Sequence, residues 1–220
     1  MIDGLRGPWQ QGLDTASILH FWTGLDADQA ACLTPAKGLL DAIVSASPYL
    51  RGLLQHNAAF TADCLQSSPE EVLSTLCSDS EKSAFSGDLE VTGTALRNAK
   101  AKVALLLALA DIGRVWDVAQ VTAALTRFAD VAVSATVNAL LLELHGGGKL
   151  VLADPHHPSH NCGYVALAMG KHGARELNYS SDIDLIILFD PETMPVADGQ
   201  DASTLSIRMT KKLVALLQDV

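Results

Sequence analysis

The spacing of apolar residues changes once along this chain, near residue 150, and that change limits the folds open to it. Up to about residue 145, apolar side chains recur every three or four positions, as in helices with one buried face. Three consecutive glycines, residues 146–148, then end the pattern. Two short apolar runs that fit buried strands follow, at 164–169 and 183–189, and then a last helical stripe. We therefore predict an α+β protein, with a mostly helical region over residues 1–150 and a small α/β region over residues 151–220.

Five helix starts are indicated by capping residues. Thr34 and Ser47 are each followed by a proline, which favours the first position of a helix. Ser68 has a glutamate three positions later and Asp117 a glutamine, and both spacings match the reciprocal cap of helix N-termini. Ser203 is predicted to cap the last helix.

Composition restricts the classes of partner. The chain of 220 residues is 49% hydrophobic, which suits a folded core, and its formal net charge is −10. An acidic chain binds nucleic acid or anionic lipid poorly, because phosphate contacts need Lys and Arg, but it tolerates divalent cations. We expect neither a nucleic acid nor a membrane as partner.

The compartment is indicated by three further features. The four cysteines are scattered without a Cys-x-x-Cys spacing, which is typical of reduced thiols in a cytosolic protein. The first ten residues have no basic segment and no apolar segment, so we expect no signal peptide. The most apolar window, 103–112, is too short to cross a bilayer. Together these features predict a cytoplasmic protein.

Two aspartates open the second apolar run. Asp182 and Asp184 are two positions apart, so on a strand both carboxylates would point to one face. Such a pair is also typical of solvated aspartates at a strand start. Carboxylates this close repel each other, and Mg²⁺ bound together with phosphate oxygens would compensate their charge. We predict that Asp182 and Asp184 are metal ligands and catalytic residues of a phosphoryl-transfer site.

The turn between the two runs supplies the other half of the predicted site. Gly170 and Gly173 would let the backbone approach a phosphate closely. Lys171 and Arg175 would add positive charge beside backbone N–H groups at a helix start. Ser181 precedes the aspartates, where its hydroxyl could bond a phosphate or orient a carboxylate. These five residues are the predicted nucleotide- and phosphate-binding set.

The stretch GKHGARELNYSSDIDLI, residues 170–186, resembles the nucleotidyltransferase motif of the glutamine synthetase adenylyltransferase family, within the polymerase-β-like nucleotidyltransferase superfamily. The superfamily pattern is a glycine followed by serine or glycine, then about ten residues, then an aspartate, an apolar residue, an aspartate or glutamate and a second apolar residue. Lys171 departs from the small residue of that pattern. The form RELNYSSDIDL resembles the half of these enzymes that removes AMP. The stretch 95–145 resembles the helices that precede the motif.

The resemblance implies a partial polymerase-β-like core at residues 151–220 and a bifunctional enzyme that adds AMP to, and removes it from, a tyrosine of glutamine synthetase. The half represented here would remove AMP by Mg²⁺-dependent phosphorolysis, giving ADP. ATP, ADP and phosphate would be substrates or products. Glutamine synthetase and a PII-type signalling protein would be partners.

The resemblance also implies a third metal-binding carboxylate, on a strand that follows the last helix. We expect this chain to be an N-terminal fragment that ends before that strand and is inactive alone. Asp190 lies six residues beyond Asp184, roughly 20 Å along a strand, so it is not expected to substitute. Asp219 ends a helix and is a poor candidate.

Three alternatives remain open from the residues. The chain could be a regulatory or docking module without catalysis, or a nucleotidyltransferase acting on another substrate. A third possibility is a zinc site in the proline-broken segment 149–162, which holds one aspartate, three histidines and a cysteine. Their spacing matches no common zinc pattern, and a solvated loop is the expected structure.

Overall fold

A computed structural model describes residue 1 and residues 12–218 of the chain. The expectation about a signal peptide therefore falls almost wholly outside the described residues, as does Asp219. Within the described part, ten α-helices, a 3₁₀ turn and two strands follow one another. Their bounds are α1 Thr15–Thr23, α2 Ala27–Leu33, the 3₁₀ turn Thr34–Ala36, α3 Lys37–Ala46, α4 Pro48–His56, α5 Ala58–Gln66, α6 Pro69–Ser83, α7 Leu89–Ile112, α8 Val118–Gly146, β1 Tyr164–Met169, α9 Gly170–Gly173, β2 Asp184–Phe189 and α10 Ala202–Gln218. The predicted mostly helical α+β class is confirmed.

Two compact units share these elements. The first comprises Met1–Leu76 and Ala101–Ala124, and the second Cys77–Lys100 and Leu125–Val220. Helices α6, α7 and α8 each contribute residues to both units. The division of the chain at residue 150 into a helical region and a nucleotidyltransferase core stays a prediction.

In the first unit, α1 packs on α3, α2 on α5 and α3 on α4. Its core includes the fully buried residues Phe21, Leu33, Leu39, Leu40, Ile43, Leu54 and Leu65. Ser47 caps α4 as predicted, because its Oγ accepts from the Leu50 amide at 3.2 Å and Pro48 takes the first helical position. The predicted cap at Thr34 is wrong. Its hydroxyl donates to the Ala30 carbonyl at 2.7 Å, so it closes α2 instead of opening the next helix.

Two further predicted caps are present, and one is replaced. The Glu71 amide donates to Ser68 Oγ at the start of α6. Asp117 and Gln120 bond each other's amides at 3.0 and 2.8 Å before α8. The last helix, however, begins two residues earlier than Ser203 implies. Asp201 is the residue whose carboxylate accepts from the Thr204 amide and hydroxyl, both at 2.7 Å.

The core of the second unit lies between α8, α10 and one face of the sheet. Buried side chains of α8 and α10 meet there, among them Leu140, Leu144, Met209 and Leu213. Tyr164 of β1 joins them, and its hydroxyl lies 2.9 Å from that of Thr210 on α10. This packing fixes the sheet on the two helices and so fixes where the ends of the strands lie.

Strands β1 and β2 pair antiparallel, in a register that sets Tyr164 opposite Phe189 and Met169 opposite Asp184. Strand β1 has the predicted bounds, and β2 begins one residue later than predicted. The expectation that both strands are buried is wrong, because among the described residues helices cover one face of this two-stranded sheet and leave the other uncovered. The other face is exposed and apolar, with Val165, Leu167, Met169, Ile186 and Leu188 each between 43% and 53% exposed.

Helix α8, and not the window 103–112, is long and apolar enough to cross a membrane by length and composition. Within the stretch that meets this test, 67% is buried inside the protein. Core helices of soluble proteins have the same character. The four cysteines are free thiols, as predicted, and burial raises the pKa of Cys64 to about 12.

The Asp201 cap generates a prediction about pH. Hydrogen bonds from Thr204 hold the pKa of Asp201 below its ordinary value of 3.8, so the folded state favours the carboxylate. That stabilisation is present above pH 3.8 and disappears as the pH falls through the lowered pKa. Asp201→Ala should therefore lower Tm at neutral pH, and the difference from wild type should shrink in acid. Thermal unfolding followed by circular dichroism between pH 2 and 7 measures it.

Ser203→Ala is the matched control, because it removes the residue expected from sequence to cap the helix. It should leave Tm unchanged at every pH. A drop in Tm as large as that of Asp201→Ala would contradict the assignment of the cap to Asp201.

Candidate active site

The two aspartates lie together at one end of the sheet. Asp184 is the first residue of β2, and Asp182 stands two positions earlier, in the irregular segment before the strand. Both are exposed, whereas Ile183 and Leu185 between and after them are partly buried against the core. This alternation sets both carboxylates on the side that faces solvent, as the spacing predicts.

The glycine turn meets Asp184 directly. Gly170 follows β1 with φ +55°, in the left-handed region, and a Cβ at this position would lie 2.9 Å from Asp184 Oδ2. The carboxylate therefore occupies the space that a side chain at residue 170 would need. Among the predicted binding residues, Gly170 is thus brought into contact with a predicted metal ligand, and it is required there for two independent reasons.

The second glycine of the turn is needed for a different contact. A Cβ on Gly173 would lie 2.5 Å from the carbonyl oxygen of Ala168, closer than real Cβ atoms approach an oxygen. The one-turn helix α9 therefore folds back tightly on the end of β1. Any side chain at residue 173 would push the turn away from the strand.

Lys171 and Arg175 are both exposed on this turn. The amides of Arg175 and Glu176 donate to the carbonyls of His172 and Lys171, at 3.1 and 2.8 Å, which is the Schellman closure of a helix end. In this closure Arg175 has φ +62°, a conformation that usually selects glycine. The two cations thus stand at opposite ends of a turn whose backbone is closely defined.

Asn178 was not singled out from sequence, although it organises the loop before the aspartates. Its Oδ1 accepts from the Ser180 amide at 3.2 Å and from the hydroxyls of Ser180 and Ser181, at 3.2 and 2.7 Å. The Asn178 amide in turn donates to Ser181 Oγ at 3.2 Å. The Ser181 hydroxyl is therefore engaged with Asn178, and the predicted bond to a phosphate would have to replace that contact. An asparagine three residues before a serine is a turn signal that could have identified it.

His172 and Asp130 form a pair that sequence reasoning also missed. His172 is 2% exposed, and its Nε2 lies 2.8 Å from Oδ1 of Asp130 on α8. These residues are 42 positions apart, and no local pattern links them.

Other acidic and metal-binding candidates are held in different contacts. Asp190 binds the Glu192 amide and the Thr193 hydroxyl of its own turn, and the bond from Thr193 lowers its pKa. In the segment 149–162, His157 pairs with Asp154 at 2.8 Å, and the buried Cys162 donates to the Tyr164 carbonyl. No three His, Cys, Asp or Glu side chains within residues 12–218 converge as a potential metal site. The zinc alternative thus has no cluster of ligands in the described part of the chain.

Asp182 and Asp184 nevertheless suit magnesium. The ion is commonly held by one or two protein carboxylates and completed by water and substrate phosphates. Two exposed carboxylates beside a turn with two cations fit that mode of binding, in which the phosphate contributes ligands of its own.

Comparison with known proteins adds the family. The model of the family described as glutamate-ammonia ligase adenylyltransferase matches residues 37–220. A relative from Bradyrhizobium sp. strain BTAi1 is 43% identical over 223 residues, which is 97% of this chain and 23% of that protein. A relative from Xanthobacter autotrophicus is 40% identical over 191 residues, 87% of this chain and 18% of that protein.

Both relatives are named bifunctional glutamine synthetase adenylyltransferase/adenylyl-removing enzyme. The chain spans less than a quarter of the length of these relatives. It resembles one part of them.

The contact between Gly170 and Asp184 can be tested by substitution. Gly170→Ala and Gly199→Ala both place a side chain at a positive φ, but nothing lies within 4 Å of a Cβ at Gly199. Each should lose about 1 kcal/mol from the left-handed backbone. Gly170→Ala should lose about 1 kcal/mol more, because the methyl group displaces the carboxylate. Chemical denaturation measures both.

A double variant isolates the contact. Combining Gly170→Ala with Asp184→Ala should remove the additional loss, since the carboxylate is then gone. If the additional loss persists in the double variant, the carboxylate is not what the methyl group meets.

Proposed function

Because the chain belongs to the glutamate-ammonia ligase adenylyltransferase family, we propose that it carries part of a polymerase-β-like nucleotidyltransferase site that removes AMP from glutamine synthetase. The contact of Gly170 with Asp184 carries the proposal. It joins the two halves of the nucleotidyltransferase pattern, the glycine turn and the aspartate pair, at one exposed place. A solvated aspartate at a strand start would need no such fit to a left-handed glycine.

The proposed reaction is phosphorolysis. An oxygen of inorganic phosphate attacks the phosphorus of the AMP–tyrosine diester, the bond from phosphorus to the tyrosine oxygen breaks, and ADP leaves. The tyrosine oxygen takes up a proton. Most catalysis of such a transfer comes from positioning and from neutralising charge on the phosphoryl oxygens.

Each predicted residue has a role in that transfer. Asp182 and Asp184 would hold Mg²⁺, which supplies positive charge at the transferring phosphoryl group. Lys171 and Arg175 would orient the attacking phosphate or the departing ADP. Arg175 is the better suited to two phosphate oxygens at once, because its guanidinium is a planar fork of donors.

The third carboxylate implied by the family resemblance has no counterpart beside Asp182 and Asp184 among residues 12–218. We therefore expect activity from a longer chain, and little from these 220 residues alone. The PII-type partner and the cytoplasmic location belong to the same proposal. So does the functional boundary near residue 150, because the turn and both aspartates lie beyond it.

The decisive experiment measures ADP formed from adenylylated glutamine synthetase, phosphate and Mg²⁺. The enzyme is this chain extended to the length of its relatives. Asp182→Asn should lower the rate by about 100-fold or more, because charge on the phosphoryl group is then poorly compensated. Asp198→Asn makes the same change at an exposed loop position and should leave the rate unaltered.

Two results would oppose the proposal. If the extended wild-type chain forms no ADP, or if Asp182→Asn is as active as wild type, the aspartates are not the catalytic pair. A docking module without catalysis, or a transferase with another substrate, would then explain the chain better.

Arg114 and Arg175, which both have a left-handed backbone conformation, give a second test. It distinguishes an effect on stability from an effect on ligand binding. Arg114 ends α7 with φ +57° in the same kind of closure as Arg175, and its amide donates to the Asp111 carbonyl. Arg175→Gly and Arg114→Gly should each stabilise the fold by about 0.5–1 kcal/mol, because glycine adopts this conformation without strain. Only Arg175→Gly should weaken binding of Mg²⁺·ADP by the extended chain, by about tenfold for a lost charged hydrogen bond.

Calorimetry on wild type and both variants measures stability and affinity together. Equal affinities in all three proteins would remove Arg175 from the proposed phosphate-binding set.

A further inference from the structure

His172 is buried in a turn whose neighbouring residues are all exposed. Residues 170, 171 and 173–176 are exposed, whereas His172 is 2% exposed. The ring therefore enters the protein as an anchor, and the exposed positions on either side carry the proposed phosphate-binding groups.

The hydrogen bond that His172 makes has a defined direction. A carboxylate can only accept, so Nε2 of His172 donates to Asp130 Oδ1 at 2.8 Å. In the neutral ring this leaves Nδ1 as an acceptor, and Nδ1 is buried without a partner among the described residues. Asp130 itself is half exposed, with 52% of its side chain accessible. The bond thus runs from a buried ring to the surface of α8.

A histidine at this buried position is unfavourable for the stability of the fold. A buried acceptor without a donor lowers stability, and an apolar side chain of similar shape would avoid that loss. Asp130 would remain solvated without its partner, because half of its side chain already meets water. What the histidine adds, and an apolar residue does not, is a fixed direction from the turn to α8.

The turn needs such a constraint. Helix α9 has four residues, and its N-cap Met169 makes no side-chain hydrogen bond to it. A helix of one turn has no stability of its own, because nucleation is unfavourable and no further residues repay it. Its shape must come from contacts with the rest of the unit. Gly173 supplies contact with β1, and His172 supplies the bond to α8.

We propose that the hydrogen bond between His172 and Asp130 is a tether that holds the Gly170–Gly173 turn in its phosphate-binding shape. His172 and Asp130 are positioning residues in this proposal, since neither touches the ligand. The inference rests on the proposed function insofar as the turn binds phosphate. The tether itself does not depend on it and can be measured without ligand.

The first arm uses amide hydrogen exchange in the 220-residue chain. His172→Leu removes the donor, and His172→Gln retains an N–H donor at a similar reach. His172→Leu should speed exchange at the amides of residues 174–176 by about tenfold, while slower core amides keep their rates. His172→Gln should restore most of the protection. Asp130→Leu should act like His172→Leu, and Asp130→Asn, which keeps an acceptor, should act like wild type.

The second arm uses ADP formation by the extended chain. His172→Leu and Asp130→Leu should raise KM for phosphate by about tenfold, with a smaller change in kcat, because the turn spends less time in its binding shape. The double variant should be no worse than either single variant, since both remove one bond. Asp63→Leu, an exposed aspartate on α5, is the matched control and should change neither constant.

The outcomes separate the two proposals. Unchanged exchange at residues 174–176 in His172→Leu would overturn the tether, whatever the activity. Faster exchange with unchanged KM would show a tether that positions nothing, and would overturn the positioning role while the proposed function stands. A wild-type extended chain that forms no ADP would overturn the proposed function and the positioning role together, and the exchange arm would still decide the tether.

Discussion

The register of the two strands decides where every candidate residue lies. Met169 stands opposite Asp184, so the turn that leaves β1 begins beside the residue that starts β2. Side chains alternate between faces, and a slip of one residue would turn Asp184 towards the core and an isoleucine or leucine towards solvent. The fit of Gly170 to the Asp184 carboxylate would be lost in the same step. The chemistry proposed for this place thus depends on a backbone pairing.

Packing of the strands on α8 and α10 holds that pairing in register. Strand residues such as Leu185 and Ile187 pack on the cluster formed by α8 and α10, and the Tyr164 hydroxyl meets Thr210. Helix α8 serves twice, because it supplies core residues under the sheet and also presents Asp130 to the turn. Helix α8 therefore supports both the sheet and the turn. Burial of its apolar residues sets the position of the sheet, and the bond from His172 to Asp130 sets the orientation of the turn.

Sequence patterns predicted most features that depend on neighbouring residues. The reciprocal cap at Asp117, the stop at the three glycines, the bounds of β1 and the aspartate spacing all follow from neighbours a few positions apart. The bond between His172 and Asp130 joins residues 42 positions apart, and no periodicity carries that information. The prediction that both strands are buried was wrong for a related reason. An apolar run of seven residues predicts a strand but not how many of its faces are covered. Asp201 displaced Ser203 as a cap because both residues suit that position and only the geometry of the loop chooses between them.

The uncovered face of the sheet has a consequence for handling this protein. In the part of the chain that the structure describes, each strand has one neighbour, so two edges with free backbone groups border an apolar surface. Such surfaces pair with copies of themselves. The net charge of −10 opposes that association at low ionic strength, where repulsion acts over long distances. Added salt shortens that range to about 10 Å at 0.1 M, so self-association of the chain should increase with ionic strength.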